Sequence, residues 1–74
     1  MTLADRLNKI IDEQGISKAE FARRVGISEN YIYQLTGHQA KKLKSISPSL
    51  VKLIALEFGY DEEWIINGNE KEKA

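Results

Sequence analysis

Glu29, Asn30, Tyr33 and Gln34 fall within a six-residue window, and their types share one kind of chemistry. An Asn or Gln amide donates and accepts at once, so each can form two hydrogen bonds to adenine N6 and N7. A Glu carboxylate accepts from cytosine N4, and a tyrosine ring offers an apolar surface to a thymine methyl. Nearby stand Lys18, Ser28, Tyr31, His38, Lys41, Lys42 and Lys44, which can meet phosphate oxygens by charge or hydrogen bond. Singly, such residues are ordinary solvated groups. They gain weight only if a scaffold presents them together. The window has no arginine, the commonest reader of guanine, so any base recognition leans toward adenine and thymine.

No catalytic set competes with this reading. The chain has no cysteine and a single histidine, so a thiolate nucleophile, a thiolate zinc site and a histidine dyad are all excluded. No glycine-rich phosphate loop or metal-ligand spacing appears. Glu62-Glu63 reads as the acidic first turn of a helix rather than a general acid–base pair. The expectation is a protein that is not an enzyme, with no cofactor, metal or small-molecule ligand.

The elements that must position these side chains are legible. Ser17 and Glu20 form the S-x-x-E signature of a helix start, and Phe21, Ala22 and Val25 give the helix one apolar stripe. Gly26 makes a turn. Ser28 is the next N-cap candidate, and Ile32 and Leu35 form an inward edge up to Gly37. With Ile32 inward, 100° per residue places Asn30 and Gln34 near the centre of the outward face. Tyr31 and Tyr33 then flank them, and Glu29 sits at the exposed N-terminal end. Two short helices joined by a glycine turn describe a helix-turn-helix, whose second helix can enter the DNA major groove.

Three more helices complete the pattern. Thr2 caps a first helix with Asp5 at its third position, and Leu3, Leu7, Ile10 and Ile11 run at helical spacing to Gly15. Residues 38–47 read as a basic loop. Ser47-Pro48 starts a fourth helix with proline at its first position, and Leu50, Leu53, Ile54 and Phe58 form its expected buried stripe, ending at Gly59. Asp61 caps a fifth helix through Trp64 and Ile65 to Gly68, with Ile66 on its other side as a candidate partner surface. The expected core is Leu7, Ile10, Phe21, Ala22, Val25, Ile32, Leu35, Leu50, Ile54, Phe58 and Trp64. No segment reads as a strand. The chain therefore reads as one compact all-α domain over residues 1–68 with a charged, frayed tail over 69–74.

At Ala22, Gly26, Ile27, Ile32 and Leu35 the sequence resembles the Cro and phage-repressor (XRE) family of helix-turn-helix proteins. The resemblance covers Leu3 to Gly68. It implies a five-helix, lambda-repressor-like fold with the motif at helices two and three. It also implies a transcriptional regulator, a repressor in the first instance, binding double-stranded DNA as a homodimer. Many relatives pair an arginine in helix one with a glutamate after helix three. Here those positions are Ile11 and Thr36, and an apolar contact is expected instead. The loop after Gly37 is also longer than the family's short version.

Composition bounds the rest. Seventy-four residues bury only about 60% of their unfolded surface, a margin that association with a second copy would help. Net charge is zero, yet residues 18–52 carry seven basic and two acidic side chains, while residues 53–74 carry six acidic and two basic ones. Such a bipolar chain can steer a basic face to phosphate. Its acidic end keeps a second reading open, a protein-interaction module such as the antitoxin of a toxin–antitoxin pair. No membrane-spanning or signal-peptide pattern appears, and the expected location is cytoplasmic.

Overall fold

A computed structural model describes residues 2–37 and 46–73. The basic-loop candidates His38, Lys41, Lys42 and Lys44 lie outside the described residues. Among the described residues five helices follow one another: α1 (Leu3–Gln14), α2 (Lys18–Val25), α3 (Glu29–Thr36), α4 (Pro48–Phe58) and α5 (Glu62–Asn67). Among the described residues there is no strand, only an isolated antiparallel bridge between Tyr60 and Lys73. The fold is all-α.

Local chemistry explains each start. The hydroxyls of Thr2, Ser17, Ser28 and Ser47 and the Asp61 carboxylate each accept from the backbone N–H three residues on, satisfying a donor the helix itself leaves orphaned. Only Thr2 completes the reciprocal box, with the Asp5 carboxylate accepting from the Thr2 N–H at 3.0 Å. That bond holds the Asp5 pKa below its ordinary value. At α2 the expected box is only half made. Glu20 turns its carboxylate to Arg23 instead, because a guanidinium one turn away offers charge where the cap offers a neutral amide.

The helices pack as α1 on α3, α2 on α3, α2 on α4, α4 on α5 and α1 on α5, so α3 is held from behind by the first two helices. Every residue of the expected core is buried. Phe21 of α2 stacks on Phe58 of α4, with ring centroids 5.1 Å apart and ring planes nearly parallel. The core also takes in Ile11, Ile46, Val51, Tyr60 and Ile65. Leu53 is the correction. It was expected in the buried stripe of α4 but is 51% exposed, because Val51 takes the inward register that a 3.6-residue period allows to either residue.

Two buried polar residues tie the ends together. Arg6 of α1 is 6% exposed, and its guanidinium donates to the carbonyls of Ile65 (2.8 Å) and Ile66 (2.9 Å), a cation at the carbonyl end of α5. Thr36 is also buried, with its hydroxyl donating to the Ile32 carbonyl at 2.7 Å. Its own carbonyl accepts from the Asn8 amide at 3.2 Å. An α1-to-α3 hydrogen bond thus anchors the end of α3, and Ile11 is buried.

The charged composition of residues 69–74 suggests fraying, yet residues 72 and 73 lie back on the body. The Asp61 N–H donates to the Glu72 carbonyl at 3.0 Å, the Glu72 carboxylate pairs with Lys9, and Lys73 Nζ stands 3.6 Å from Glu13 Oε1. Beneath them Tyr60 is fully buried, stacked on Trp64 at 5.8 Å. Its hydroxyl donates to Glu13 at 2.6 Å.

Candidate nucleic-acid interface

The outward face of α3 is built by what its inward face must do. Ile32, Leu35 and Thr36 are buried, which leaves Asn30 and Gln34 exposed on the opposite side and Tyr33 exposed on its flank, while Glu29 is exposed in the first turn and Tyr31 is half-buried against the core. All four base-reading candidates are open to solvent. Ser28 is exposed as well, but its oxygen accepts from the Tyr31 N–H at 3.1 Å. The hydroxyl proton is left to donate outward, beside the positive end of α3.

Ahead of this face, Gly26 takes φ +75°, ψ 32°, the left-handed conformation that only glycine adopts without strain. It stops α2 and redirects the chain within two residues, so α3 leaves at a fixed angle. Gly37 closes the other end differently. Its backbone is not left-handed (φ −102°), but a Cβ there would stand 2.7 Å from the Tyr33 carbonyl oxygen. Space, not φ, is what glycine supplies at the end of α3.

Lys18 reaches this face from the first turn of α2. Its ammonium lies 5.7 Å from the centroid of the Tyr33 ring, within the range of a cation–π contact. The Tyr33 ring thus holds a cation, linking a phosphate candidate to one of the base-reading candidates. Arg23 and Arg24 are both ion-paired. Arg23 joins Glu20, which draws the glutamate pKa down. Arg24 joins Glu57 at 2.8 Å and lies 4.8 Å from the Phe58 centroid. Both arginines serve α2 and its packing on α4.

Two roles escaped the sequence reading. Asn8, a polar residue on α1, anchors the end of α3 through the Thr36 carbonyl. Tyr33 positions Lys18 as well as presenting its own ring. Neither has a local signal, since each depends on which helix lies opposite. Among the described residues no group of three His, Cys, Asp or Glu side chains is placed to hold a metal, and no helix is long and apolar enough to cross a membrane.

Comparison with known proteins agrees with this geometry. A family model described as a helix-turn-helix domain matches residues 4–71, from the first turn of α1 to the tail segment beside Tyr60. Neither the curated proteins nor the solved structures give a match. With the motif at α2 and α3 and the match spanning nearly all of its length, the chain belongs to the helix-turn-helix domain family, in keeping with its resemblance to the Cro and phage-repressor proteins.

Proposed function

We propose that this protein is a sequence-specific regulator of transcription that binds double-stranded DNA as a dimer, with α3 in the major groove. The observation that carries this reading is the exposure of Glu29, Asn30, Tyr33 and Gln34 on a helix whose inward side is locked into the core. Asn30 and Gln34 read adenine edges, Glu29 accepts from cytosine, and Tyr33 packs on thymine methyls. Lys18, Ser28, Tyr31, His38, Lys41, Lys42 and Lys44 supply phosphate contacts. The described residues of one copy extend 28 Å along their longest principal axis, short of the roughly 34–36 Å between half-sites one helical turn apart. Two copies are needed to read both. A cytoplasmic domain seated on such a site represses by excluding other proteins from it.

Selection of bound duplexes from a random pool tests the reading. Enrichment of a palindrome with A·T-rich half-sites supports it, and the absence of any enriched sequence rejects it. Salt gives a second measure. Affinity falls steeply between about 50 and 200 mM, and Lys18→Ala or Lys42→Ala lowers the slope of log K against log salt by about one each while preserving sequence preference. The zero net charge and acidic C-terminal end favour the second reading, a protein-interaction module of the antitoxin kind. Its signature is a protein partner retained with no DNA affinity at low salt.

A further inference from the structure

The fourth helix is apolar on two sides. Leu50, Val51, Ile54 and Phe58 face the core, but Leu53 and Leu56 on the other side are 51% and 79% exposed. A helix that is hydrophobic all round is ordinarily covered all round, and nothing in the described fold covers this side. At 100° per residue Leu53 and Leu56 form a narrow stripe, flanked by Lys52 on one edge and Glu57 on the other. In heptad terms these four residues occupy g, a, d and e in order, the seam of a coiled-coil contact.

We propose that this stripe is the surface on which a second copy of the chain packs, with the two α4 helices side by side and parallel. The charges choose the occupant and its direction. In a parallel pair a g residue meets the e residue five positions on in the partner, so Lys52 faces Glu57 of the second copy, and symmetry makes the pair twice. In an antiparallel pair g meets g and e meets e, setting lysine against lysine and glutamate against glutamate. Both contacts of Arg24 fall on one Glu57 oxygen, Oε2, and a carboxylate has acceptor capacity for more than one cation. A single heptad buries little surface. The pair is therefore weak when free and is completed when both copies occupy one duplex, where the second contact becomes intramolecular.

This inference names the surface of the dimer proposed above, and its test is independent of DNA. The chain has no cysteine, so Leu53→Cys or Leu56→Cys introduces the only thiol. In the parallel pair each position meets itself across the twofold axis. At high protein concentration and without DNA, each variant alone then forms a disulfide dimer under mild oxidation at least tenfold faster than the control Asp12→Cys on α1. In low salt, adding Lys52→Glu slows the Leu53→Cys reaction severalfold. Cross-linking only in a mixture of the Leu53→Cys and Leu56→Cys proteins overturns the parallel arrangement. Rates no higher than the control overturn the surface itself, and a Lys52→Glu variant that cross-links unchanged overturns the charge pairing. DNA binding by the unmodified protein is measured separately under reducing conditions; its failure to bind any duplex speaks against the DNA reading and leaves the cross-linking result standing.

Discussion

Asn30 and Gln34 lie four residues apart on α3, so they sit one above the other on the same face and address neighbouring base pairs along a groove. Asn30→Ala and Gln34→Ala are each expected to weaken binding to the selected site by about 1–3 kcal/mol while leaving random duplex almost unchanged. Fluorescence anisotropy on the two duplexes measures this, and a uniform loss on both would reassign the residues to backbone contacts. Arg6 acts at the same scale but on stability. Of its two charge-assisted hydrogen bonds to the end of α5, that to Ile65 is buried and that to Ile66 part-buried, and Arg6→Met leaves both carbonyls without that donor. The expected cost is about 3 kcal/mol by urea denaturation. DNA specificity is unchanged at temperatures where the variant is folded.

At the scale of elements, α3 is a short helix fixed at both ends rather than stabilised by its own length, since eight residues are marginal alone. Ser28→Ala removes the N-cap and is expected to cost about 0.5–2 kcal/mol of stability. Gly37→Ala acts at the other end, where the new methyl meets the Tyr33 carbonyl and forces the last turn of α3 to shift, at about 1–3 kcal/mol. The two differ in their functional readout. Loss of the cap frays the Glu29 end, whereas the shift at Gly37 displaces Tyr33 and with it Lys18. Thermal melts combined with salt titrations of DNA binding separate them: Gly37→Ala changes the salt slope and Ser28→Ala does not.

At the scale of the whole molecule, the closing contacts run between α1, Tyr60 and the C-terminal segment. The Tyr60 hydroxyl donates to Glu13 and holds the glutamate pKa below its ordinary 4.5. A carboxylate whose folded value is depressed contributes stability above its unfolded value and loses it as pH falls through the folded one. Asp5, held down by the Thr2 N–H, and Glu20, held down by Arg23, act in the same direction. Melting temperature is therefore expected to hold steady at neutral pH and to fall progressively below about pH 4.5. Tyr60→Phe lowers stability at pH 7, and its difference from the unmodified protein shrinks toward zero as Glu13 is protonated. A difference constant from pH 7 to pH 3 would assign the effect to packing alone.

Most of the fold was legible because its signals are local. The caps at Thr2, Ser17, Ser28, Ser47 and Asp61, the turn at Gly26 and the 3.6-residue stripes each lie within one helix turn, and each names an inward face. Once Ile32 and Leu35 point inward, Asn30 and Gln34 can only point out, so the candidate reading surface follows from sequence alone. What sequence left open is what depends on the neighbour across the gap. The inward register of α4 passes to Val51 rather than Leu53 because of where α2 and α5 sit, and that exposes the stripe proposed as the dimer surface. Arg6, Asn8 and Tyr60 are unremarkable in a linear reading and become structural only when α5, the end of α3 and the C-terminal segment are brought against them. The sequence determined the helices and their faces, because caps and periodicity act over a few residues. Only the tertiary structure decided which polar groups find partners, because a hydrogen bond between α1 and a residue 60 positions away exists only after the chain has folded.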